Sequence, residues 1–509
     1  MEKILKAIKN NCRGFSPFAV AVSIGIVLTA VTCIFSVYLY HDSANVYAFM
    51  ARALVNNEFQ DAFHPAIPSL NTLLSWPLTL AGISPERSLL FISCLFYVLT
   101  IVSLYCLLKK FLPENLAGTG ALLFAAAPGV IRFFCASLID SGKTFFLVTA
   151  LYFLYRFAES KFRSFKHAVF LGCMLGGLAL ARSEGIGMAA IIVLCLGYYY
   201  LYEAVQRKKL PPVLPLLTLF AAFAILIFSR MCLLYSVTKK FIFDTRISEG
   251  IEGIICKLTG GSAAVEAVQK GDLPSVTWAH LLKDCFRGSY EPYLVFAVAG
   301  FVLFILAAVW KNAAKLFPDR KIPDFMTWNN FYYVFIIAAA GNLLIFKMPS
   351  FVAYRYFLLN IPLLMLFTSA GGYLLWRWCA VRLSTKVAFY ALLITAVSFQ
   401  IGSGLKNVFS SRSRNAYNSG LYLASLLNAP RNTGRIWFIG KTGSEWYYSG
   451  MRRAVPIETP LPDIGTYTDF EYVLCKKKSE ELQVIERRKD LKEIFLPPES
   501  TVKLFQRIK

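Results

Sequence analysis

The stretch PFAVAVSIGIVLTAVTCIFSVYLYHDS, residues 17–43, decides the class of fold. From Pro17 to Tyr40 it holds no charged residue, and about 20 apolar residues in a helix cross a hydrocarbon core about 30 Å thick. Lys3, Lys6, Lys9 and Arg13 precede it. The run is too long for the core of a secretory leader and has no clear small-residue cleavage site, so it reads as an uncleaved first span with a cytoplasmic N-terminus. Apolar runs of this kind recur as far as Ile401 in a chain of 509 residues that is 57% hydrophobic and 16% charged, with mean hydropathy +0.54. That balance excludes an ordinary soluble enzyme and a disordered chain. The expected fold class is an all-α polytopic membrane protein with a small C-terminal α/β domain.

Spans are expected at 17–40, 88–108, 116–136, 144–157, 167–181, 185–203, 212–235, 291–310, 330–346, 356–376 and 387–402, about eleven in all. Alternate loops then collect Lys109 and Lys110; Arg156, Lys161, Arg163 and Lys166; Arg207, Lys208 and Lys209; Lys311, Lys315, Arg320 and Lys321; and Arg377, Arg382 and Lys386. The positive-inside rule puts these loops in the cytoplasm. The net charge of +23, from 53 Lys and Arg against 30 Asp and Glu, is therefore a matter of orientation and anionic membrane lipid, and nucleic acid is not an expected partner. Residues 1–402 form the membrane domain, with external loops at 41–87 and 236–290, and residues 403–509 form a domain outside the cytoplasm. Ile67 to Leu80 is apolar but short and holds Asn71 and Pro77. It reads as an interfacial or re-entrant helix, because counting it as a span would turn every later basic loop outward.

In the first external loop Val46, Phe49, Met50, Ala53 and Leu54 form one apolar helical stripe, the pattern of a helix lying on the membrane surface. Asp42 and Ser43 stand where either could cap it. The tail reads as a helix at 413–427, strands at 435–439, 471–475, 493–496 and 502–505, and a charged helix at 479–488.

Two stretches imitate a phosphate-binding loop, Gly142-Lys143-Thr144 and Gly440-Lys441-Thr442, but Ser137 and Arg435 stand where the earlier glycine belongs. ATP hydrolysis has no support. The four histidines, His41, His64, His167 and His280, come with no CxxC or HExxH pattern, which leaves a structural zinc site or zinc protease without backing. Most cysteines sit in or beside spans as small apolar residues; Cys256 and Cys285 share the outer loop, where a disulfide is one reading and two thiols the other, and Cys475 is left over. What remains is polar: Asp42 after the first span, Asp140 between the third and fourth, Arg182 and Glu184 between the fifth and sixth, Lys347 and Arg355 before the tenth. All map to the external face. A charge deep in a bilayer costs at least about 2.5–3.5 kcal/mol, so a set of charges sharing one face points to a site.

His41-Asp42-Ser43 with Tyr47 and Ala51, then His64-Pro65 before a short apolar helix, resembles the polyprenyl-phosphate-sugar-dependent GT-C glycosyltransferases, in particular bacterial relatives of the protein O-mannosyltransferases and of the lipid A aminoarabinose transferase. Ala127-Pro128-Gly129 through Ser137 and Asp140 resembles the family's second acidic segment; Gly177-Leu178-Ala179 to Arg182-Ser183-Glu184-Gly185 its small-residue hairpin; and Arg355-Tyr356 to Pro362 its late arginine-tyrosine segment. The resemblance implies a bacterial inner-membrane enzyme that takes a polyprenyl-phosphate-linked sugar and passes it to an extracytoplasmic glycan, lipid or protein. It implies catalytic roles for Asp42 and Asp140 and substrate contacts from Tyr47, His64, Arg182, Glu184, Lys347 and Arg355.

A sugar on phosphate already has a good leaving group. One carboxylate to take the acceptor's proton, for which Asp42 is the candidate, and cations to hold the departing phosphate, for which Lys347 and Arg355 are candidates, suffice, and in-line displacement inverts the anomeric centre. Ser43 stands where family members often have a second acid, which leaves a divalent metal open. Blander readings stand beside these roles: helix capping for Asp42 and Asp140, hairpin closure for Arg182 with Glu184, snorkelling to the interface for Lys347 and Arg355, and a structural loop position for His64. A transporter or flippase of lipid-linked sugars and a non-catalytic scaffold are the competing classes. A transporter usually shows mid-membrane polar groups in repeated halves, which this chain lacks.

Overall fold

The computed structural model describes residues 16–36, 46–63, 67, 70–208, 210–243, 278–288, 295, 297–302, 331–345, 354–379, 383–409, 415, 417–420, 422–423, 436–439, 454–455, 471–477, 479, 482–496, 500 and 502–508. Its helices are α1 (Pro17–Phe35), α2 (Ala48–Val55), α3 (Leu70–Leu80), α4 (Pro85–Leu108), α5 (Glu114–Ala126), α6 (Pro128–Phe134), α7 (Asp140–Glu159), α8 (Phe165–Ala181), α9 (Glu184–Arg207), α10 (Val213–Thr238), α11 (Trp278–Gly288), α12 (Tyr332–Ile345), α13 (Asn360–Cys379) and α14 (Leu383–Val408), with a one-turn helix at Phe59–Ala62 and a 3-10 helix at Tyr354–Leu359. Every expected span overlaps one of these helices, and 116–136 overlaps two, except 291–310, most of which lies outside the described residues. By length and composition, five described helices suffice to cross a membrane, or six if a bent pair counts as one.

That bent pair is α5 and α6, which meet at 60°. The single span expected at 116–136 is broken because proline at 128 has no N–H to give and disfavours a helical Ala127; Ala127 is extended, with φ −60° and ψ 123°. The Tyr97 hydroxyl from α4 donates to the Ala125 carbonyl at 2.5 Å, taking up one acceptor near the end of α5.

Helices in lipid have no hydrophobic force drawing them together, so small residues that allow close approach decide who packs on whom. Along α8, Gly172 abuts the Leu219 carbonyl and Ala222 methyl of α10, and a Cβ there would collide with both. The far side of α10 turns Leu214, Leu217, Ile225 and Phe228 outward, as a lipid-facing surface requires. The main core lies among α1, α4, α5, α7, α8 and α13, around Tyr97, Phe124, Phe134, Leu147 and Phe367.

The short helix α3 is inverted relative to a helix of a water-soluble protein. Asn71, Thr72, Ser75 and Thr79 are buried, while Leu74, Trp76 and Leu80 are exposed. Such a helix is stable where the outside is apolar, which agrees with an interfacial position. The stripe on α2 is also present, with Met50, Ala53 and Leu54 buried. Tyr47 stands at the α2 N-cap without a side-chain cap, and Asp42 and Ser43 lie outside the described residues.

The C-terminal segment forms a five-stranded sheet from β1 (Ile436–Ile439), β2 (Ala454–Val455), β3 (Tyr472–Lys476), β4 (Leu491–Ile494) and β5 (Val502–Arg507), in the order β2-β1-β3-β5-β4. β1 pairs parallel with β2 and β3, and β5 antiparallel with β3 and β4. Alternation puts the two faces of β3 and β5 into different cores. Val473, Cys475 and Phe505 pack on Ile485 of the short helix Leu482–Glu486, whereas Leu474, Val502 and Leu504 pack with Ala48 and Ala51 of α2 and Leu89 of α4. The strand expected at 493–496 runs instead from Leu491 to Ile494, and Phe495 beyond it is 78% exposed. β2 was not expected: two residues between Arg453 and Pro456 are too few to show alternation.

Candidate functional site

Antiparallel hairpins bring the start of α7, the α8–α9 turn and the 3-10 helix to the same end of the bundle. Asp140 is the first residue of α7, and Ile139 holds the N-cap without a side-chain bond. Asp140 is therefore not a cap. Its Oδ1 accepts from an Arg182 Nη at 2.7 Å, and Arg182 Nε donates to Glu184 Oε2 at 2.8 Å. Arg182 closes α8 with an extended backbone, and Glu184 opens α9. The turn between them is tight: a Cβ on Gly185 would run into the Leu178 carbonyl. Arg182 and Glu184 do close a hairpin, but the arginine also reaches across to α7, and the Asp140 and Arg182 side chains are only 3% and 8% exposed.

A second layer of charge lies over this chain of ion pairs. The Arg182 guanidinium sits 4.1 Å from the centre of the Tyr356 ring and that of Arg355 5.3 Å from it, within cation–π range. Arg355 is buried, so it does not snorkel. Tyr47 is within electrostatic reach of Arg182. Lys143, one turn into α7 and buried, is within reach of Arg182, Glu184, Asp140 and Arg355. Among the described residues, Asp140 Oδ2 has no hydrogen-bond partner. The arrangement offers a buried cationic surface and a carboxylate oxygen with a lone pair free to take a proton.

Of the residues expected from sequence, Asp140, Arg182, Glu184, Arg355 and Tyr47 are brought together. Asp42, His64 and Lys347 lie outside the described residues, as does Cys256 and with it the pairing to Cys285. Sequence reasoning missed three participants. Lys143 was legible as a lysine inside an apolar span, but was discounted with the failed phosphate loop. Tyr356 is an aromatic beside an arginine, a weak signal alone. Arg230 is a buried cation on α10 that bonds elsewhere, donating to the Phe243 and Ile67 carbonyls at 2.9 and 3.4 Å and so tying the segments around residues 67 and 243 together.

Residues 64–233 match the family model described as dolichyl-phosphate-mannose-protein mannosyltransferase. Among solved structures, ArnT from Cupriavidus metallidurans in the apo state is 12% identical, covering 96% of this chain and 97% of that one with a TM-score of 0.55. The same protein bound to undecaprenyl phosphate gives 10% identity, 96% and 97% coverage and a TM-score of 0.53. The Archaeoglobus fulgidus oligosaccharyltransferase in complex with Zn and sulfate gives 13% identity, 97% and 73% coverage and a TM-score of 0.51. No curated protein matches the chain. At these identities the likeness is one of fold, and it runs along nearly the whole chain.

Proposed function

We propose that this multi-pass membrane glycosyltransferase of the GT-C type transfers a sugar from a polyprenyl-phosphate-linked donor to an acceptor glycan, lipid or protein outside the cytoplasm, in a bacterial inner membrane with its N-terminus inside. The observation that carries the reading is the buried chain Asp140–Arg182–Glu184 beside Arg355 and Tyr356 at the predicted external end of the bundle. A phosphate needs cations in a water-poor place, and these are supplied by Arg355 and, from the sequence, Lys347.

In the proposed step a carboxylate takes the acceptor's hydroxyl proton, and the acceptor oxygen bonds to the anomeric carbon from the side opposite the phosphate. The carbon–oxygen bond to phosphate breaks, its electron pair stays on the phosphate oxygen, and the anomeric centre inverts. Asp42 is the candidate base, with Asp140 the second acid, whose Oδ2 is buried and has no hydrogen-bond partner among the described residues. Tyr47, His64 and Glu184 are assigned to substrate contact. The Archaeoglobus relative is described with Zn. Here, among the described residues, no three His, Cys, Asp or Glu side chains stand together, and Asp140 and Glu184 each hold Arg182. His41, Asp42 and His64, the residues that could add donors to Asp140, lie outside the described residues.

The test is release of polyprenyl phosphate and labelled product from a panel of polyprenyl-phosphate monosaccharides by purified protein in lipid, with and without chelator. Asp42→Asn is expected to lose about 10²-fold or more of the transfer rate. Wild-type protein that consumes no donor, even with a membrane extract supplying acceptors, would return the weight to the scaffold or transporter classes.

A further inference from the structure

Asn71 interrupts the apolar run of α3 and is buried there. Ser75 and Thr79, further along the same buried face, direct their hydroxyls to carbonyls of α3 itself. The Asn71 amide instead leaves the helix and donates from Nδ2, at 3.3 Å, to the carbonyl of Leu138, 67 positions away. Leu138 belongs to the turn between α6 and α7. Its residues, Cys135 to Ile139, are all buried and lie in no helix, so their backbone groups must be paired by other means.

Side chains of α3 and α4 supply part of that pairing. The Ser93 hydroxyl of α4 donates to the same Leu138 oxygen as Asn71, and the two together match the two lone pairs of a carbonyl. The Ser137 hydroxyl, one residue earlier, donates to the Glu86 carbonyl in the first turn of α4 at 3.1 Å. Gly142 makes room for α3, since a Cβ there would crowd Asn71 Oδ1 at 3.2 Å. Two residues beyond the doubly held carbonyl stands Asp140, with its carboxylate 2.7 Å from Arg182. A turn fixed from two helices fixes where that carboxylate starts.

We infer that Asn71 and Ser93 are positioning residues for Asp140: acting through the Leu138 carbonyl, they hold the turn that presents its carboxylate, and α3 is thereby part of the site. The inference rests on the role proposed above for Asp140 and adds two residues that act on it without touching it.

The test is transfer kinetics of the purified full chain in lipid, with the donor that wild type consumes from the panel of polyprenyl-phosphate monosaccharides. Asn71→Leu keeps the bulk and loses the amide, and Ser93→Ala loses only a hydroxyl. Each is measured alone and combined with Asp140→Asn. Each single variant is expected to lower kcat by about tenfold or more, as a misplaced catalytic group does, with KM for the donor within about twofold of wild type. In the Asp140→Asn background neither should lower kcat further, because both act through the same carboxylate. Ser93→Thr, which keeps the hydroxyl, should retain most of the wild-type kcat. Losses that multiply with that of Asp140→Asn overturn the positioning role, as do variants that melt lower with kcat unchanged. If Asn71→Leu fails to fold, Ser93→Ala and its double variant decide the question. Asp140→Asn with wild-type kinetics overturns the role of Asp140 instead, and wild type that consumes no donor overturns the donor reading.

Discussion

The two ends of the helix bundle use the same residue types to opposite effect. At one end Asp140, Arg182 and Glu184 are joined at 2.7–2.8 Å with side chains 3%, 8% and 21% exposed. At the other, Lys110 and Arg156 approach Glu159 at 3.9 and 3.0 Å with side chains 26–45% exposed. α7 connects the two, and its 20 residues put them about 30 Å apart. Exposed pairs are screened by salt and contribute little. Buried pairs must recover a desolvation cost of several kcal/mol per ion. Among the described residues such a buried network stands at one end of α7 and exposed pairs at the other.

The sharpest way to break this contrast is Arg182→Met, which strands the buried Asp140 and the half-buried Glu184 and is expected to cost about 3–5 kcal/mol and to abolish transfer. A loss under about 1 kcal/mol in thermal unfolding would mean water already reaches the pair. Tyr356→Leu removes the ring against which Arg182 and Arg355 lie. A loss of about 0.5–2 kcal/mol with a fall in transfer is expected, and unchanged transfer would separate the ring from the site. At the opposite end Glu159→Gln should change stability by about 0–1 kcal/mol, a difference that vanishes in high salt, with transfer unaffected.

The smallest effect belongs to the C-terminal sheet. There the hydrogen bond from Arg488 holds Asp490 below the usual carboxylate range despite partial burial. A carboxyl whose value is lowered by folding contributes stability that is present above its unfolded value of about 3.9 and is lost as pH falls through the lower folded one. Asp490→Asn should therefore flatten the acid limb of a melting-temperature profile below about pH 4. An unchanged limb would show that the pair is solvated away.

Hydrophobic length and loop charge made the bundle legible before any coordinates, because a bilayer imposes both on every span alike. The break at Pro128 was legible in principle, as proline inside an apolar run. Charge counting runs straight through it, because loop charge marks only the ends of a span. For Asp140 the sequence offers a catalytic acid and a helix cap side by side; its partner Arg182 is 42 residues away, and no local pattern encodes that distance. Lys143 was visible and set aside by comparison with the wrong motif. The inverted polarity of α3 shows the same limit: Asn71 and Thr72 read as defects in an apolar helix until the side they face is known.

The core that α2 shares with the C-terminal sheet carries a consequence for biogenesis. Ala48 and Ala51 are buried against Val502 and Leu504, which a ribosome makes some 450 residues later. At about 5–20 residues per second, α2 sits at the membrane surface for roughly 20–90 s before its partner strand exists. Throughout that interval the face of α2 that carries Ala48 and Ala51 lacks the strand that covers it in the finished fold. Completion of this core is thereby tied to completion of the sheet, and a chain stalled before β5 would have made every helix of the bundle while leaving α2 uncovered.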